Sequence, residues 1–456
     1  MNRQDHEFVI AGAGIAGMTL ALLLHRMGKR VVIVEKRPRH SFLEEELRSI
    51  NFTLTARGLA TLERLGLRER VLARAVKLNQ RAVHGRNGKT STQPYGTRES
   101  HAIYSIRRVA LLQILQEALE RMPGVVIEYG ATIDSADHRT GTLGYTRDGR
   151  TDILHAETIF AADGAFSRVR TLFLEQSAAQ CELQNFPWRY MEIQGGEDFV
   201  RTLNLDNDTL HVWPGENALL VGIPNPDTTI SLMFLSENLQ DDRREHFVEI
   251  FGASFPHVKI TPDMETQLRT MPLGRLVTSR LSNWSHEDRI VFVGDACHAV
   301  LPFYGQGMNA ALEDCFVICE MLETGMAGAQ AFAAYEARRR PQTDALAALS
   351  RAHFDSLRQG ALSPRWQAAA MTDLLFSHLS RGRWFYEYEQ VAHTNTPYDR
   401  IVTRLRQQKR IKKLSGVWLF ELAIGSAIVI SQKVRSLPWK HLRSLSPAKT
   451  SVPSPR

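Results

Sequence analysis

The residues of this chain that could do chemistry begin with a glycine-rich stretch in its second half. Gly294-Asp295 follows an apolar strand over 290–293 and leads through Gly305-Gln306-Gly307 into an apolar helix that starts near Asn309. An aspartate at a strand end can accept hydrogen bonds from hydroxyls, and glycines together with the amides of Met308 and Asn309 let a backbone approach a ligand. The stretch predicts a turn that closes over a large planar ligand.

The N-terminal residues supply a second ligand-binding pattern. Gly12, Gly14 and Gly17 stand at GxGxxG spacing between an apolar strand and a helix, and the next strand ends at Glu35. In such a unit the first glycine makes a tight turn, the second admits a pyrophosphate, and the third lets helix and strand pack closely. A carboxylate at the position of Glu35 binds ribose hydroxyls. The unit predicts adenine dinucleotide binding, and FAD and NAD share this fingerprint.

The sequence offers little other catalytic apparatus. It has no obvious nucleophile–base pair, HExxH motif or cluster of metal ligands, and its four cysteines lack CxxC spacing. His298 has two interpretations, a general base or a histidine that hydrogen-bonds a backbone carbonyl beside the cofactor. The difficult chemistry is therefore expected to come from the cofactor.

Three motifs recur in the order seen in the aromatic-hydroxylase flavoproteins, and the chain resembles that family from end to end. They are Arg108 at the start of an amphipathic helix, the Asp163-Gly164 turn and the Gly294-Asp295 turn. Further segments narrow the resemblance to the kynurenine 3-monooxygenases: Arg48-Ser-Ile-Asn51, His84, Pro94-Tyr-Gly-Thr97, Tyr190-Met-Glu192, Leu210-His-Val-Trp-Pro214 and 302–309.

The resemblance implies a reaction. In that family NADPH or NADH reduces FAD, molecular oxygen forms a flavin hydroperoxide, and an aromatic ring takes its distal oxygen. The expected activity is 3-hydroxylation of L-kynurenine or a close analogue, a step of tryptophan catabolism. Three alternatives stay open: a hydroxylase of a different aryl carboxylate, a flavin halogenase, and a non-catalytic FAD-binding protein recruited by its basic tail.

The resemblance also assigns cofactor contacts. Arg107 is the alternative to Arg108 if the helix register differs by one residue. The expected FAD-binding residues are Gly12, Gly14, Ala16, Gly17, Glu35, Lys36, Arg37, Thr53, Arg108, Ile133, Asp163, Asp295, Gly307, Met308 and Asn309.

Arg81 and Tyr95 match the pair that holds the substrate carboxylate in the resembling family, and Tyr398 matches a further substrate residue. Arg81 and Tyr95 flank residues 85–88, which read as a hairpin turn, so the two can be neighbours. A guanidinium and a phenol supply charge and directed hydrogen bonds to a carboxylate. The full set of expected substrate residues is Arg81, Tyr95, Tyr398, Phe234, Leu210, Val212, Phe303 and His353.

Two features refine the expected substrate. Leu210, Val212, Val221, Ile223 and Phe234 alternate along predicted strands and would form an apolar slot for an aromatic ring. Where the family's helix supplies an asparagine and, three residues later, a glutamate, this chain has His353 and Ser356; Asp355 would point to another helix face. A relative of kynurenine with a modified or absent amine is thus a plausible substrate.

The fold class follows as α/β, with four regions. A Rossmann-like FAD-binding domain is expected over 1–185 and 281–330, an inserted antiparallel substrate-binding sheet over 186–280, and a helical region contributing to the substrate site over 331–413. Residues 414–456 combine an apolar helix with a basic tail.

The tail explains the charge of the chain. From Arg400 onward thirteen lysines and arginines face one acid, Glu421, a net charge of +12 that exceeds the whole chain's +7. No nucleic-acid motif accompanies it, so nucleic acid is not an expected partner. Residues 414–430 are short for a bilayer span and are expected to dock on the body or associate with a membrane surface. No secretory signal opens the chain, which predicts a cytoplasmic protein.

Overall fold

The computed structural model describes residues 5–39, 51–86, 88–96, 98, 100–359, 363–380, 383–417, 419 and 421–426. Residues 48–50 of the Arg48 segment and the tail from 427 onward lie outside the described residues. The strands are β1 (Asp5–Ala11), β2 (Val31–Glu35), β3 (Asn51–Leu54), β4 (Val76–Leu78), β5 (Gln80–His84), β6 (Thr90–Pro94), β7 (Ile103–Arg107), β8 (Val125–Tyr129), β9 (Thr132–Asp137), β10 (Thr142–Arg147), β11 (Arg150–Ala161), β12 (Cys181–Gly195), β13 (Thr209–Pro214), β14 (Ala218–Pro224), β15 (Ile230–Ser236), β16 (Leu273–Leu281), β17 (Ser285–His286) and β18 (Ile290–Phe292).

The helices lie between these strands and after them. The α-helices are α1 (Ile15–Arg26), α2 (Ala56–Arg64), α3 (Arg68–Leu72), α4 (Arg108–Leu119), α5 (Arg168–Gln176), α6 (Glu197–Thr202), α7 (Phe247–Ser254), α8 (Pro262–Thr270), α9 (Asp295–His298), α10 (Gly307–Glu323), α11 (Gly328–Gln359), α12 (Pro364–Leu379), α13 (Glu387–His393) and α14 (Tyr398–Leu414).

The first sheet is the nucleotide-binding one. Its main path runs β17-β18-β11-β1-β2-β8, and β1 pairs in parallel with both β2 and β11. Because parallel strands end at the same edge, the turns after β1, β2, β11 and β18 meet there. These turns carry Gly12, Glu35, Asp163 and Gly294, so chain order and sheet topology gather four of the predicted cofactor motifs at one edge. The predicted α/β fold with a Rossmann-like domain is confirmed.

The second sheet is formed mainly by the inserted segment. Its order is β16-β12-β15-β14-β13-β5-β6, antiparallel except where β13 runs parallel to β5. β5 and β6 come from residues 80–94, so the inserted segment recruits a hairpin from the first part of the chain. That hairpin carries Arg81. A third, three-stranded sheet has the order β3-β7-β4.

Both faces of the second sheet are covered. Phe234, Phe251 and Phe255 form a core with α7 and α8 on one face. On the other face Val83 and Val212 pack in a cluster that includes Phe354 of α11. The predicted substrate cleft would lie between this second face and the helical region.

The helix α11 continues through a proline. The sequence predicts a break at Pro341, yet one helix spans Gly328–Gln359. Pro341 and Ala337 are both exposed, so water can solvate the Ala337 carbonyl that lacks an amide partner. The uninterrupted helix brings His353 Nε2 to within 3.0 Å of Arg81 Nη1.

Candidate active site

The turn after β1 has the packing that a nucleotide-binding turn requires. Gly12 has a φ of 96°, and its amide donates to the Val34 carbonyl. A Cβ at Gly17 would lie 1.9 Å from the Gly12 carbonyl oxygen, so a larger residue does not fit there. Gly14, by contrast, has no atom of a described residue within 4 Å of the position its Cβ would take, apart from its neighbours in the chain. This open space at the N-terminus of α1 fits a pyrophosphate.

Glu35 is buried at the end of β2, where donors from two turns hold its carboxylate. The Ala13 amide donates to Oε2 over 2.7 Å, and the Arg37 amide and Nε each donate to Oε1 over 2.9 Å. Burial raises the pKa of Glu35, but the hydrogen bonds and charge of Arg37 outweigh it, so the pKa lies below its ordinary value. Glu35 is thus ionised, as a ribose-binding carboxylate should be, while Lys36 is exposed.

Two aspartates follow the neighbouring strands of the same sheet. Asp163 accepts a hydrogen bond from the Val169 amide over 3.1 Å, and burial raises its pKa. Its Cα lies 3.0 Å from the position a Cβ on Gly12 would take. Asp295 is the first residue of α9, and its side chain is exposed. Ile133, on β9, packs against the core of the first sheet.

The two arginines at the start of α4 face different parts of the molecule. Arg107 donates to Asp227 Oδ2 over 2.7 Å. Although solvent reaches the Asp295 side chain, the surrounding protein raises its pKa, and the charges of His298 and Arg108 oppose that rise. The structure therefore brings Arg108, and not Arg107, near Asp295.

The start of α10 is pinned by the Asn309 side chain, which is fully buried. Its Oδ1 accepts from the Thr55 amide over 2.9 Å, and its Nδ2 donates to the carbonyls of Thr53 and Gly305 over 2.7 and 3.0 Å. Gly307 and Met308 remain partly exposed. The side chain of Asn309 is thus structural, while the first-turn amides of α10 are placed to meet a cofactor. Ala16 lies nearby, with its carbonyl accepting a hydrogen bond from the Cys315 thiol.

Asp314 joins the cofactor turn to the helical region. Its Oδ2 accepts from the Gly294 amide over 3.2 Å and contacts His298 Nε2, and its Oδ1 accepts from Arg339 Nε over 2.8 Å. Burial raises the pKa of Asp314, but the charges of His298 and Arg339 outweigh it and leave the pKa below its ordinary value. The partner of His298 is therefore this carboxylate and not a backbone carbonyl.

Arg81 is a buried cation that has no anionic partner in the described part of the chain. The residue is 7% exposed; its Nη2 donates to Gln93 Oε1 over 2.7 Å, and its Nη1 lies 3.0 Å from His353 Nε2. Burial and the Arg81 charge hold the pKa of His353 well below its usual range, so the imidazole is neutral and accepts this hydrogen bond. Among the described residues no carboxylate pairs with Arg81, and its Nε is buried without a hydrogen-bond partner. An anionic ligand would satisfy both deficits.

Two tyrosines complete this end of the cleft. Tyr95, 2% exposed, stacks on Tyr388 of α13 with ring centroids 4.8 Å apart. The Arg81 guanidinium carbon lies 5.8 Å from the Tyr388 ring centroid. Burial raises the pKa of Tyr95 well above its ordinary value despite the Arg81 charge, so its hydroxyl is a neutral donor. The hairpin and α13 thus gather a guanidinium and two phenols.

Tyr398 does not join this group. It is fully buried at the start of α14, where its hydroxyl donates to Gln306 Oε1 over 2.9 Å. The Arg57 guanidinium carbon stacks 3.9 Å from its ring centroid. The Tyr398 hydroxyl is bonded to Gln306 and its ring is stacked on Arg57, so Tyr398 supports the Gln306 turn. Tyr388 is the tyrosine that lies beside Arg81.

The apolar wall of the cleft differs from the expected slot in one strand. Leu210, Val221 and Met233 share a cluster with Val212 and Phe303, and Leu210, Val221, Met233 and Phe303 stay partly exposed. The prediction that Phe234 lines the slot is wrong. It is fully buried against α7 on the opposite face, because Met233 and not Phe234 pairs with Val221.

The family's acidic position in α11 is occupied by a hydroxyl. The Ser356 Oγ atom is buried and has no hydrogen-bond partner among the residues that the structure describes, one helical turn from His353. Asp355 is about half exposed and lies 4.0 Å from Arg351, as the helix geometry predicts for an outward face. The side chains of α11 therefore offer no carboxylate beside Arg81.

Sequence reasoning missed Tyr388, Gln93 and Met233. Tyr388 follows Tyr386 on a short helix, and its local sequence carries no motif that separates it from Tyr398. Gln93 could have been found from the hairpin register, since Arg81 pairs directly with it. Met233 could be assigned to the cleft face only once both faces of the sheet were known to be covered.

The C-terminal apolar segment is described only to residue 426. Lys412 Nζ lies 2.8 Å from both Asp373 and Glu421, so the single acid of the segment is paired. Gly425 lies beside Pro364 at the start of α12. In the described part of the chain no helix has the length and hydropathy to cross a bilayer.

Comparisons with known proteins agree with this geometry. A family model described as FAD binding domain matches residues 5–350. The chain is 39% identical over 440 residues to the kynurenine 3-monooxygenase of Salinispora arenicola (strain CNS-205), covering 94% of this chain and 96% of the relative. It is 30% identical over 402 residues to that of Flavobacterium johnsoniae, covering 86% and 90%.

Solved structures share the fold. The p-nitrophenol 4-monooxygenase PnpA from Pseudomonas putida DLL-E4 superposes with a TM-score of 0.71 at 19% identity, over 86% of this chain and 100% of that one. PqsL of P. aeruginosa, in complex with 2-aminobenzoylacetate, gives 0.63 at 21% identity, over 78% and 98%.

The family model, the fold and the glycine-rich edge define the class: an FAD-dependent monooxygenase, with FAD as its cofactor. The relatives that match nearly the whole chain are more specific. The chain belongs to the kynurenine 3-monooxygenase family.

Proposed function

We propose that this enzyme uses NADPH or NADH and molecular oxygen to hydroxylate the ring of L-kynurenine, or a close analogue, at the 3-position next to the ring amine. The observation that carries the proposal is the buried Arg81 guanidinium, which lacks a carboxylate partner among the described residues and lies beside Tyr95 and Tyr388. A buried cation with an unused donor favours an anionic ligand. The substrate carboxylate is that ligand.

The cofactor would occupy the edge of the first sheet. The turn around Gly14 would hold its pyrophosphate, Glu35 its ribose, and Arg108 and Asp295 would lie along it, with the first-turn amides of α10 near its ring. Bound FAD, once reduced by the nicotinamide and reacted with oxygen, supplies the oxygen atom. The protein's own part is to anchor the substrate carboxylate and to hold its ring against an apolar wall that keeps water out.

A second candidate is hydroxylation of an aryl carboxylate without a side-chain amine. Neutral His353 and the hydroxyl of Ser356 stand where the resembling family has an asparagine and a glutamate, so α11 offers no anion to an ammonium group. The 2-aminobenzoylacetate bound to PqsL is a compound of this kind. The two candidates share the Arg81 anchor and differ only in the substrate's amine.

Cofactor oxidation with product analysis separates them. Purified FAD-loaded protein is supplied with NADPH, with and without L-kynurenine, and the products are weighed by mass spectrometry. We expect L-kynurenine to accelerate NADPH oxidation and to gain one oxygen atom. Acceleration without product would exclude kynurenine as the substrate and favour an analogue without the side-chain amine, as would the absence of any response.

A further inference from the structure

Glu192 is an acidic residue on the cleft face of the second sheet. Its neighbours Met191 and Ile193 belong to the buried core on the opposite face. Since side chains alternate along a strand, Glu192 projects toward the cleft, as does Tyr190, which packs in the cleft-side cluster. Its Oε2 atom is inaccessible to solvent.

The strand register puts Glu192 and Arg81 at opposite ends of one apolar surface. Glu192 pairs with Met233, which pairs with Val221 on the next strand. The row continues through Val212 to Val83, which stands two residues after Arg81 and so on the same face. Four strand spacings separate the two backbones, about 19 Å at ~4.8 Å each. A carboxylate and a guanidinium therefore lie at opposite ends of an apolar floor.

The charges around Tyr190 indicate which end of this apolar surface lies nearer the cofactor edge. Burial raises the pKa of Tyr190, the Glu192 charge raises it further, and the Arg108 charge lowers it. Glu192 is thus close to Tyr190, and Tyr190 is near Arg108, whose charge also lowers the pKa of Asp295. The strand of Glu192 also pairs with β16, where the Ser279 hydroxyl donates to the Asp295 carbonyl, so the acid lies toward the cofactor edge. Arg81 lies on β5, four strands farther along the sheet.

We propose that Glu192 accepts a hydrogen bond from the ring amine of a 2-aminobenzoyl carboxylate whose carboxylate is held by Arg81. The inference rests on the proposed function and specifies its substrate class. A carboxylate that holds an aryl N–H increases the electron donation of that nitrogen into the ring. The ring carbon next to the amine then becomes more nucleophilic, which is where the oxygen is to be added. Glu192 would in this way both orient the ring and direct the reaction.

The test compares two ligands that differ only in the ring amine: L-kynurenine and its analogue benzoylalanine, which has an unsubstituted phenyl ring. Their dissociation constants are measured from the change in flavin absorbance of the FAD-loaded enzyme. In Glu192→Gln, L-kynurenine should bind about ten- to a hundredfold more weakly, as expected for a lost hydrogen bond to a charged group. Benzoylalanine should change less than about twofold, because no amine is present to lose that bond.

Glu182→Gln is the matched control, since Glu182 lies on the same strand and is exposed. If Glu192→Gln does not retain FAD, Glu192→Asp replaces it, with the same selective loss for L-kynurenine expected. Equal weakening of both ligands, or no weakening of either, would overturn the inference. The proposed function is judged separately, by whether the unaltered enzyme forms hydroxylated product.

Discussion

Replacing Arg81 by methionine should separate binding from folding. The side chain uses Nη2 on Gln93 and Nη1 on His353, which leaves the buried Nε and the remaining amino protons for a ligand. Two charge-assisted hydrogen bonds to a carboxylate contribute about 3 kcal/mol or more. We therefore expect the KM for the carboxylate substrate to rise by roughly two orders of magnitude.

The same variant should keep the stability of the substrate-free protein. Arg81 is desolvated and has no paired carboxylate within the described ranges, and an apolar side chain of similar length removes that cost. The assays are substrate-dependent NADPH oxidation and thermal unfolding of the FAD-loaded protein. Arg86→Met is the control, because Arg86 is exposed in the same hairpin and pairs with Glu216. An unchanged KM, or an unfolding temperature that falls sharply while Arg86→Met has no effect, would refute the reasoning.

Three further predictions follow from the cofactor edge and the cleft. Asp314→Asn should lower stability by about 1.5–3 kcal/mol in denaturant unfolding and loosen FAD, because Arg339 loses one of its two carboxylate partners and keeps only Glu313. Gly14→Ala should fold normally but release FAD more readily, whereas Gly17→Ala should unfold or fail to fold, since its Cβ would meet backbone. His353 stays neutral when folded and is protonated when unfolded below about pH 6.5, so stability should fall as pH drops below that value, and His353→Gln should reduce that slope.

Matched variants serve as controls for these predictions. Gly196 has the same helix-start position and an open Cβ site like Gly14, with a φ of −73° against −76°, so Gly196→Ala should leave FAD affinity unchanged. Asp355→Asn, at a half-exposed residue, is the control for Asp314→Asn. His246→Gln, at an exposed residue, is the control for His353→Gln. Equal effects in variant and control would contradict the role assigned to each buried residue.

Local sequence predicted the cofactor edge well because each part of it is encoded locally. The glycine spacing around Gly14 requires close backbone packing, and Glu35 must follow a buried strand. The order of strands then gathers the turns without further information. The register of a short hairpin likewise placed Arg81 and Tyr95 on one side of the cleft.

The substrate wall was harder to predict because tertiary packing decides it. Alternation along β15 separates Met233 from Phe234, but both faces of that strand are buried, so hydrophobicity does not say which faces the cleft. The choice between Tyr388 and Tyr398 depends on how α13 and α14 fold back over the hairpin. Both helices lie about 300 residues after Arg81 in the chain, a separation that no local pattern spans.

The most direct test of the account is the fate of molecular oxygen. FAD-loaded enzyme is supplied with NADPH, L-kynurenine and oxygen enriched in its heavy isotope, and the product is examined by mass spectrometry and by the ring-proton pattern in NMR. We predict a product with one heavy oxygen atom, attached to the ring carbon next to the amine. NADPH oxidation that yields only hydrogen peroxide, or no reaction by protein that carries FAD, would contradict it.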